Sequence, residues 1–163
     1  MTNQLIAFLA QYLFLAVLAA AVLAWWRLGR SDKRLFLIYG AVASILALML
    51  AKVASAVYFD PRPFMEHQPS LFYHAPGNGF PSDHAMLSFF MAGLVWRFNR
   101  RVGVALLLLA AVVGWSRVAA GVHHAIDIVG GAVIALAAIS AVLWLSPRLT
   151  TLYQRLARVN ETA

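Results

Sequence analysis

Cysteine is absent from the 163 residues, and only six acidic residues stand against thirteen basic ones. Without a thiol the chain has no disulfide framework, no thiolate metal site and no cysteine nucleophile. Charge of either sign is scarce: 12% of residues carry it, against roughly 25% in soluble domains. Hydrophobic residues make up 63%, and mean hydropathy is +0.78. This balance excludes an ordinary soluble domain and predicts a polytopic membrane protein. Internal repeats and low-complexity tracts are also missing. No basic run interleaved with aromatics falls on a soluble segment, so the net charge of +7 is not read as a nucleic-acid footprint.

What is present is a set of long apolar stretches. A bilayer-spanning helix needs about 20 mostly apolar residues. Five spans are expected, at about 5–26, 35–57, 82–97, 102–120 and 126–145, within one membrane domain covering 1–163. The third is short: its 16 residues give about 24 Å of helix, less than a hydrocarbon core of about 30 Å. The first has no basic segment before it and its positive charges follow it, so it is expected to be a retained span and not a cleaved leader.

Ten of the thirteen basic residues fall on one side: Arg27, Arg30, Lys33 and Arg34, then Arg97, Arg100 and Arg101, then Arg148, Arg155 and Arg158. The positive-inside rule assigns that side to the cytoplasm, with the N-terminus outside and the C-terminus inside. Trp25, Trp26, Trp96, Trp115 and Trp144 flank the spans as an aromatic belt requires. Leu149, Leu152, Tyr153 and Leu156 recur at helical spacing, so 149–159 fits either an interfacial helix or a frayed tail.

Lys52, Arg62 and Arg117 are the cations that topology leaves over. They lie in three segments on the outer side: KVASAVYFDPRPF (52–64), GFPSDH (79–84) and SRVAAGVHHAID (116–127). A charge at mid-bilayer costs about 2.5–3.5 kcal/mol on insertion scales, so such clusters mark function. In the second segment Pro81 suits the first turn of a helix, whose unpaired amides, with the Ser82 hydroxyl and His84, make an anion seat. In the third, His123 and Asp127 are four apart and share a face on a helix, where the carboxylate would fix the imidazole tautomer. Arg117 offers a planar fork for phosphate oxygens, and Gly121 permits a bend or close approach. His124 is on a different face from His123 and takes no catalytic role; Asp60, Glu66, His67 and His74 either shape the site or are solvated loop residues. In the first segment Pro61 and Pro63 stiffen the chain around Arg62, and Lys52 either snorkels or contacts phosphate. The loop 58–81 is expected to be ordered by its Pro and Gly punctuation.

The three segments together resemble the signature of the type-2 phosphatidic acid phosphatase superfamily. Pro81-Ser82-Asp83-His84 matches its Pro-Ser-x-His segment. Ser116-Arg117, five residues, His123, three residues, Asp127 matches the third segment with its spacing intact. YFDPRPF followed by GNGFPSDHA is similar to the bacitracin-resistance branch, the undecaprenyl-diphosphate phosphatases of cell-wall lipid recycling. One departure stands: nine residues separate Lys52 from Arg62 where the pattern has six, which would place the lysine at Ser55.

The resemblance implies an all-α membrane bundle in a bacterial inner membrane, with a lipid diphosphate as substrate and no metal or cofactor. It implies His123 as the nucleophile forming a phosphohistidine, Asp127 orienting it, and His84 as the acid for the leaving group. Arg62, Arg117, Ser82, Ser116 and Lys52 would hold the phosphate. The alternatives kept open are a phosphatase of another lipid, such as phosphatidate or phosphatidylglycerophosphate, an anion transporter, and an anion binder without turnover. Oligomeric state is not fixed by the sequence.

Overall fold

The structure, a computed structural model, describes residues 2–161, with side chains described over 2–147. Its helices are α1 (Thr2–Trp26), α2 (Arg30–Val57), α3 (Asp83–Phe98), α4 (Arg100–Ala119) and α5 (Ala125–Glu161), with one 3₁₀ turn at Pro63–Glu66. No strand occurs among the described residues. The helices fall on the five apolar stretches expected. The side chains of the 149–159 tail lie outside the described residues.

Helices α1, α2, α4 and the Ala125–Pro147 part of α5 are each long and apolar enough to cross a membrane. Helix α3 has only 16 residues, and the packing accounts for this. Half of them are buried, including Ala85, Met86, Phe90 and Leu94, whereas α1 buries only Ala10, Val17 and Ala21. α3 is the central helix, packed against α4, α5 and α1, while α2 leans mainly on α5. A helix enclosed by its neighbours need not match the hydrocarbon thickness itself. The outer faces carry Leu5, Phe8, Leu23, Ile45, Val53 and Leu108, all exposed, as a lipid-facing surface requires.

Two turns carry the non-tail basic residues at one end of the bundle. The α3–α4 turn is fixed by Asn99, whose side-chain oxygen accepts from the Val102 N–H at 3.1 Å and caps α4. The opposite end is built from loop 58–81, the end of α4 and the start of α5. This loop is ordered around Asn78. Its Nδ2 donates to Ser55 O and Oγ and to Tyr58 O, and its Oδ1 accepts from the N–H groups of Asp60 and Phe80. Ser55, the position expected for a lysine, thus serves as an anchor for the loop. Leu71 and Phe72 pack against Ala10, Ala120 and Val122, and Leu71 N–H donates to Ala120 O.

Helix α4 ends at a left-handed Gly121 (φ 72°), where a Cβ would stand 2.3 Å from Pro69 O. Only glycine fits there, both by conformation and by space, so Gly121 serves as bend and close approach together. Helix α3 begins one step later than expected. Ser82 is its N-cap and Pro81 precedes the cap, because Ser82 has extended backbone and its N–H donates to Asp127 O at 3.1 Å.

Candidate active site

Asp127 is the residue around which the site is assembled. It stands at the third position of α5, and its Oδ2 accepts from the backbone N–H of His124, the residue that caps the helix, at 2.9 Å. This is half of a capping box, in which a carboxylate in the first turn satisfies the amide before the helix. The same oxygen lies 3.0 Å from His123 Nδ1. The four-residue spacing therefore works without His123 being helical: α5 starts at Ala125, and the contact bridges the helix entry. Asp127 is fully buried.

The tautomer of His123 follows from its two partners. Arg62 Nη1 is 3.2 Å from His123 Nε2. A guanidinium can only donate, so Nε2 is the unprotonated acceptor and Nδ1–H donates to Asp127. His123 is 3% exposed. Burial pushes its pKa below the ordinary histidine value, with the positive charges of Arg117 and Arg62 adding to that effect and the Asp127 bond opposing it. A neutral imidazole with its lone pair on Nε2 is the nucleophilic form.

The same three segments carry donors without acceptors. Among the described residues, five buried side-chain atoms lack partners: Arg62 Nε, Arg117 Nε and Nη2, Ser82 Oγ and Asp127 Oδ1. Four of the five are donors, and each belongs to a residue expected to hold phosphate. An unsatisfied buried polar group costs about 1–3 kcal/mol, so such a set is retained for a ligand. Arg117 is anchored from the other side: Nη1 donates to Ala10 O in α1 at 3.1 Å, and the guanidinium lies 5.7 Å from the Phe72 ring centre. Arg62 Nη1 also donates to Val122 O at 3.1 Å. His84, half-buried, packs edge-on against Phe14 with ring centres 4.5 Å apart.

Two expected phosphate ligands stand differently. Ser116 is buried, but its hydroxyl donates to Val113 O at 2.7 Å, inside its own helix. Lys52 is exposed on α2 and lines a cavity of about 520 Å³ together with Arg62, Asn78, Asp83 and Met86. It thus faces the approach to the site, three residues before the loop anchor at Ser55.

Four residues with no firm role expected of them, His74, Asp60, Glu66 and His124, are brought in by the fold. His74 reaches across from the loop, its ring centre 6.3 Å from that of His123, and burial lowers its pKa. Asp60 Oδ2 is 2.7 Å from His124 Nδ1, and Glu66 Oε2 is 3.7 Å from His124 Nε2. The one available signal was local: Asp60 sits two residues before Arg62, and His124 directly follows His123. Asp60, His124 and Asp127 place ligand atoms within 4.8 Å of one another, the arrangement a cation would need. Asp60 Oδ2 and His124 Nδ1 are paired with each other and Asp127 Oδ2 with His123 and a backbone amide, while Asp127 Oδ1 is unpartnered.

Residues 35–151 match the PAP2 superfamily. A Bacillus licheniformis protein named bacitracin transport permease protein BcrC is 32% identical over 159 residues, covering 96% of this chain and 78% of the relative. A Bacillus subtilis protein named undecaprenyl-diphosphatase BcrC is 30% identical over 135 residues, covering 82% and 69%. Two crystal structures share the fold. The Aquifex aeolicus LpxE structure has TM-score 0.58 at 22% identity, over 86% of this chain and 93% of that one. A transmembrane PAP2-type phosphatidylglycerolphosphate phosphatase from Bacillus subtilis has TM-score 0.63 at 18% identity, over 90% and 77%. Five apolar helices carrying a buried, cation-ringed histidine at one end make this a multi-pass membrane lipid phosphatase. The chain belongs to the PAP2 superfamily.

Proposed function

We propose that this chain removes the terminal phosphate of undecaprenyl diphosphate through a phosphohistidine. The observation that carries the chemistry is the neutral His123 with its lone pair on Nε2 beside the unpartnered donors of Arg62, Arg117 and Ser82. Nε2 attacks the terminal phosphorus, and the bond to the bridging oxygen breaks. His84 gives its proton to that oxygen, which leaves with the lipid monophosphate. Water then gives a proton back to His84 as its oxygen attacks the phosphohistidine; the P–N bond breaks, inorganic phosphate leaves, and the lone pair returns to Nε2. Charge on the equatorial oxygens is held by the arginine forks, the positioning and electrostatic stabilisation that phosphoryl transfer demands. The whole of 1–163 acts as one membrane domain in this reading.

An apolar cleft supports a long lipid tail as the rest of the substrate. It encloses about 380 Å³ between α2 and α3, with Gly40, Ser44 and Ala47 on one wall and Met86, Phe90 and Leu94 on the other. Leu48 and Met86 also line the polar cavity that holds Arg62, so the cleft runs from the phosphate seat into the bundle's flank. The name of the Bacillus subtilis relative, undecaprenyl-diphosphatase, favours an isoprenoid tail there. The test is phosphate release by detergent-purified protein, with EDTA present, from undecaprenyl diphosphate, farnesyl diphosphate and phosphatidate. Undecaprenyl diphosphate is expected to turn over fastest. Ser44→Phe, which fills the cleft, is expected to cut its kcat/KM about tenfold, the worth of two buried methylenes at about 0.8 kcal/mol each, and to spare farnesyl diphosphate. Preference for phosphatidate would reassign the lipid, and equal loss on both diphosphates would remove the cleft from tail binding.

The site faces the periplasm or cell exterior in this reading, because the seven cations of the α1–α2 and α3–α4 turns lie toward the other end. The chain has no cysteine of its own, so a single Tyr73→Cys in the exposed loop gives a clean reporter. An impermeant thiol reagent is expected to label it in intact cells; labelling only after lysis would reverse the orientation.

A further inference from the structure

Beside the looser 3.7 Å approach of Glu66 to His124 Nε2, three hydrogen bonds tie loop 58–81 to residues 122–124, the segment that carries the nucleophile. Arg62 Nη1 donates to Val122 O and to His123 Nε2, at 3.1 and 3.2 Å. The third is the 2.7 Å contact between Asp60 Oδ2 and His124 Nδ1. Both ends of that contact are themselves fixed. Asp60 N–H donates to Asn78 Oδ1 at 2.9 Å, and Asp60 O accepts from Gly79 N–H at 2.7 Å. His124 N–H donates to Asp127 Oδ2. Gly79 permits this close approach, since a Cβ there would lie 2.7 Å from Asp127 Oδ2 and 3.2 Å from Asp60 O. The Asp60 side chain is 14% exposed and that of His124 30%, so the contact is partly shielded from solvent screening.

The reaction makes one of these ties temporary. Nε2 of His123 cannot accept from Arg62 while it attacks phosphorus, so that link is given up in each turnover. The Asp60–His124 contact touches no reacting atom and can persist throughout. We propose that Asp60 and His124 act as a positioning clamp that holds the Arg62 guanidinium in register with His123 Nε2 while phosphate is transferred. This rests on the phosphatase reading above. Neither residue is a catalytic residue in it; they act through Arg62 and His123.

A displacement of about 1 Å at a reacting group can cost on the order of 100-fold in rate. Asp60→Ala and His124→Ala are therefore expected to lower kcat by 10- to 100-fold with smaller changes in KM. Because the two residues form one tie, the double variant is expected to be no slower than the slower single one. His124→Asn, whose amide NH₂ stands near the place of Nδ1–H, is expected to recover most of the loss, which a general loss of folding would not permit. Losses that multiply in the double variant, or a His124→Asn variant as slow as His124→Ala, would overturn the clamp. A second reading does not depend on turnover: the rise in thermal midpoint produced by orthovanadate, which mimics phosphate in transfer. It is expected to shrink equally in both singles and the double, and an undiminished rise would also count against the clamp. If wild-type protein released no phosphate from any lipid, the phosphatase reading would fall, and the vanadate series would still decide the clamp.

Discussion

His123→Ala is expected to lower kcat/KM for phosphate release by on the order of 10⁴-fold or more, the scale on which nucleophile loss is felt when other groups remain in place. The neighbouring histidines are engaged otherwise: His84 packs against Phe14, His124 is held by Asp60, and His74 Nδ1 lies 3.2 Å from Ala75 O. The variant removes a ring bonded to Asp127 and Arg62, so a control for folding is needed; an unchanged far-UV spectrum and elution profile supply it. Acid-quenched wild type is expected to lose any trapped phosphoryl label, and alkali-quenched wild type to keep it, as a P–N bond requires. Retention of activity within tenfold would remove His123 from the chemistry. The same assay reads the protonation state. His123 must be neutral to attack, and burial holds its pKa below the ordinary value near 6.5. Activity in kcat/KM should therefore persist as pH falls through 6.5 and decline only below it; an acid limb centred above that value would contradict the buried, neutral histidine.

The third signature segment was legible in the sequence because its chemistry is local. Ser116, Arg117, His123 and Asp127 are joined by one turn, and the spacing alone brings the ring to its carboxylate. The way it does so was not legible. Helical spacing predicted a shared face, whereas the contact spans the entry to α5 and doubles as its cap. That outcome depends on Gly121 ending α4, which its positive φ and the close approach of Pro69 together make necessary. The five helices followed from hydropathy, since apolar runs of this length have few other fates. Which of them is central did not follow, because lipid-facing and core-facing residues are equally apolar. Helix α3 declared itself only by being short. Least legible were the long-range ties: Arg62 to Val122 and Asp60 to His124 are 60 and 64 residues apart. Without the folded loop, Asp60 and His124 read as ordinary solvated polar residues.

Arg117→Lys keeps the charge and is nonetheless expected to reduce kcat by about 10²–10³-fold, the loss typical of removing a preorganised oxyanion donor. The reason is how the guanidinium is divided. Nη1 is committed to Ala10 O, and this leaves Nε–H and Nη2–H, the two parallel donors of one edge, buried and unpartnered. Two parallel N–H groups match two oxygens of a phosphoryl group, a geometry an ammonium cannot reproduce. A lysine must choose between the α1 carbonyl and the phosphate, and whichever it abandons remains unsatisfied. Because the equatorial oxygens gain charge as the transferring group flattens, the fork acts mostly in the transition state, so kcat should fall more than KM rises. Arg117→Lys is also expected to lose about 1 kcal/mol of stability through the weakened tie to Ala10, a small shift in thermal midpoint that turnover can be corrected for. A variant within a few-fold of wild type in kcat would mean that charge alone holds the phosphate. The bidentate edge that α1 sets in place would then have no part in the chemistry, and neither would the requirement for α1 to reach the site.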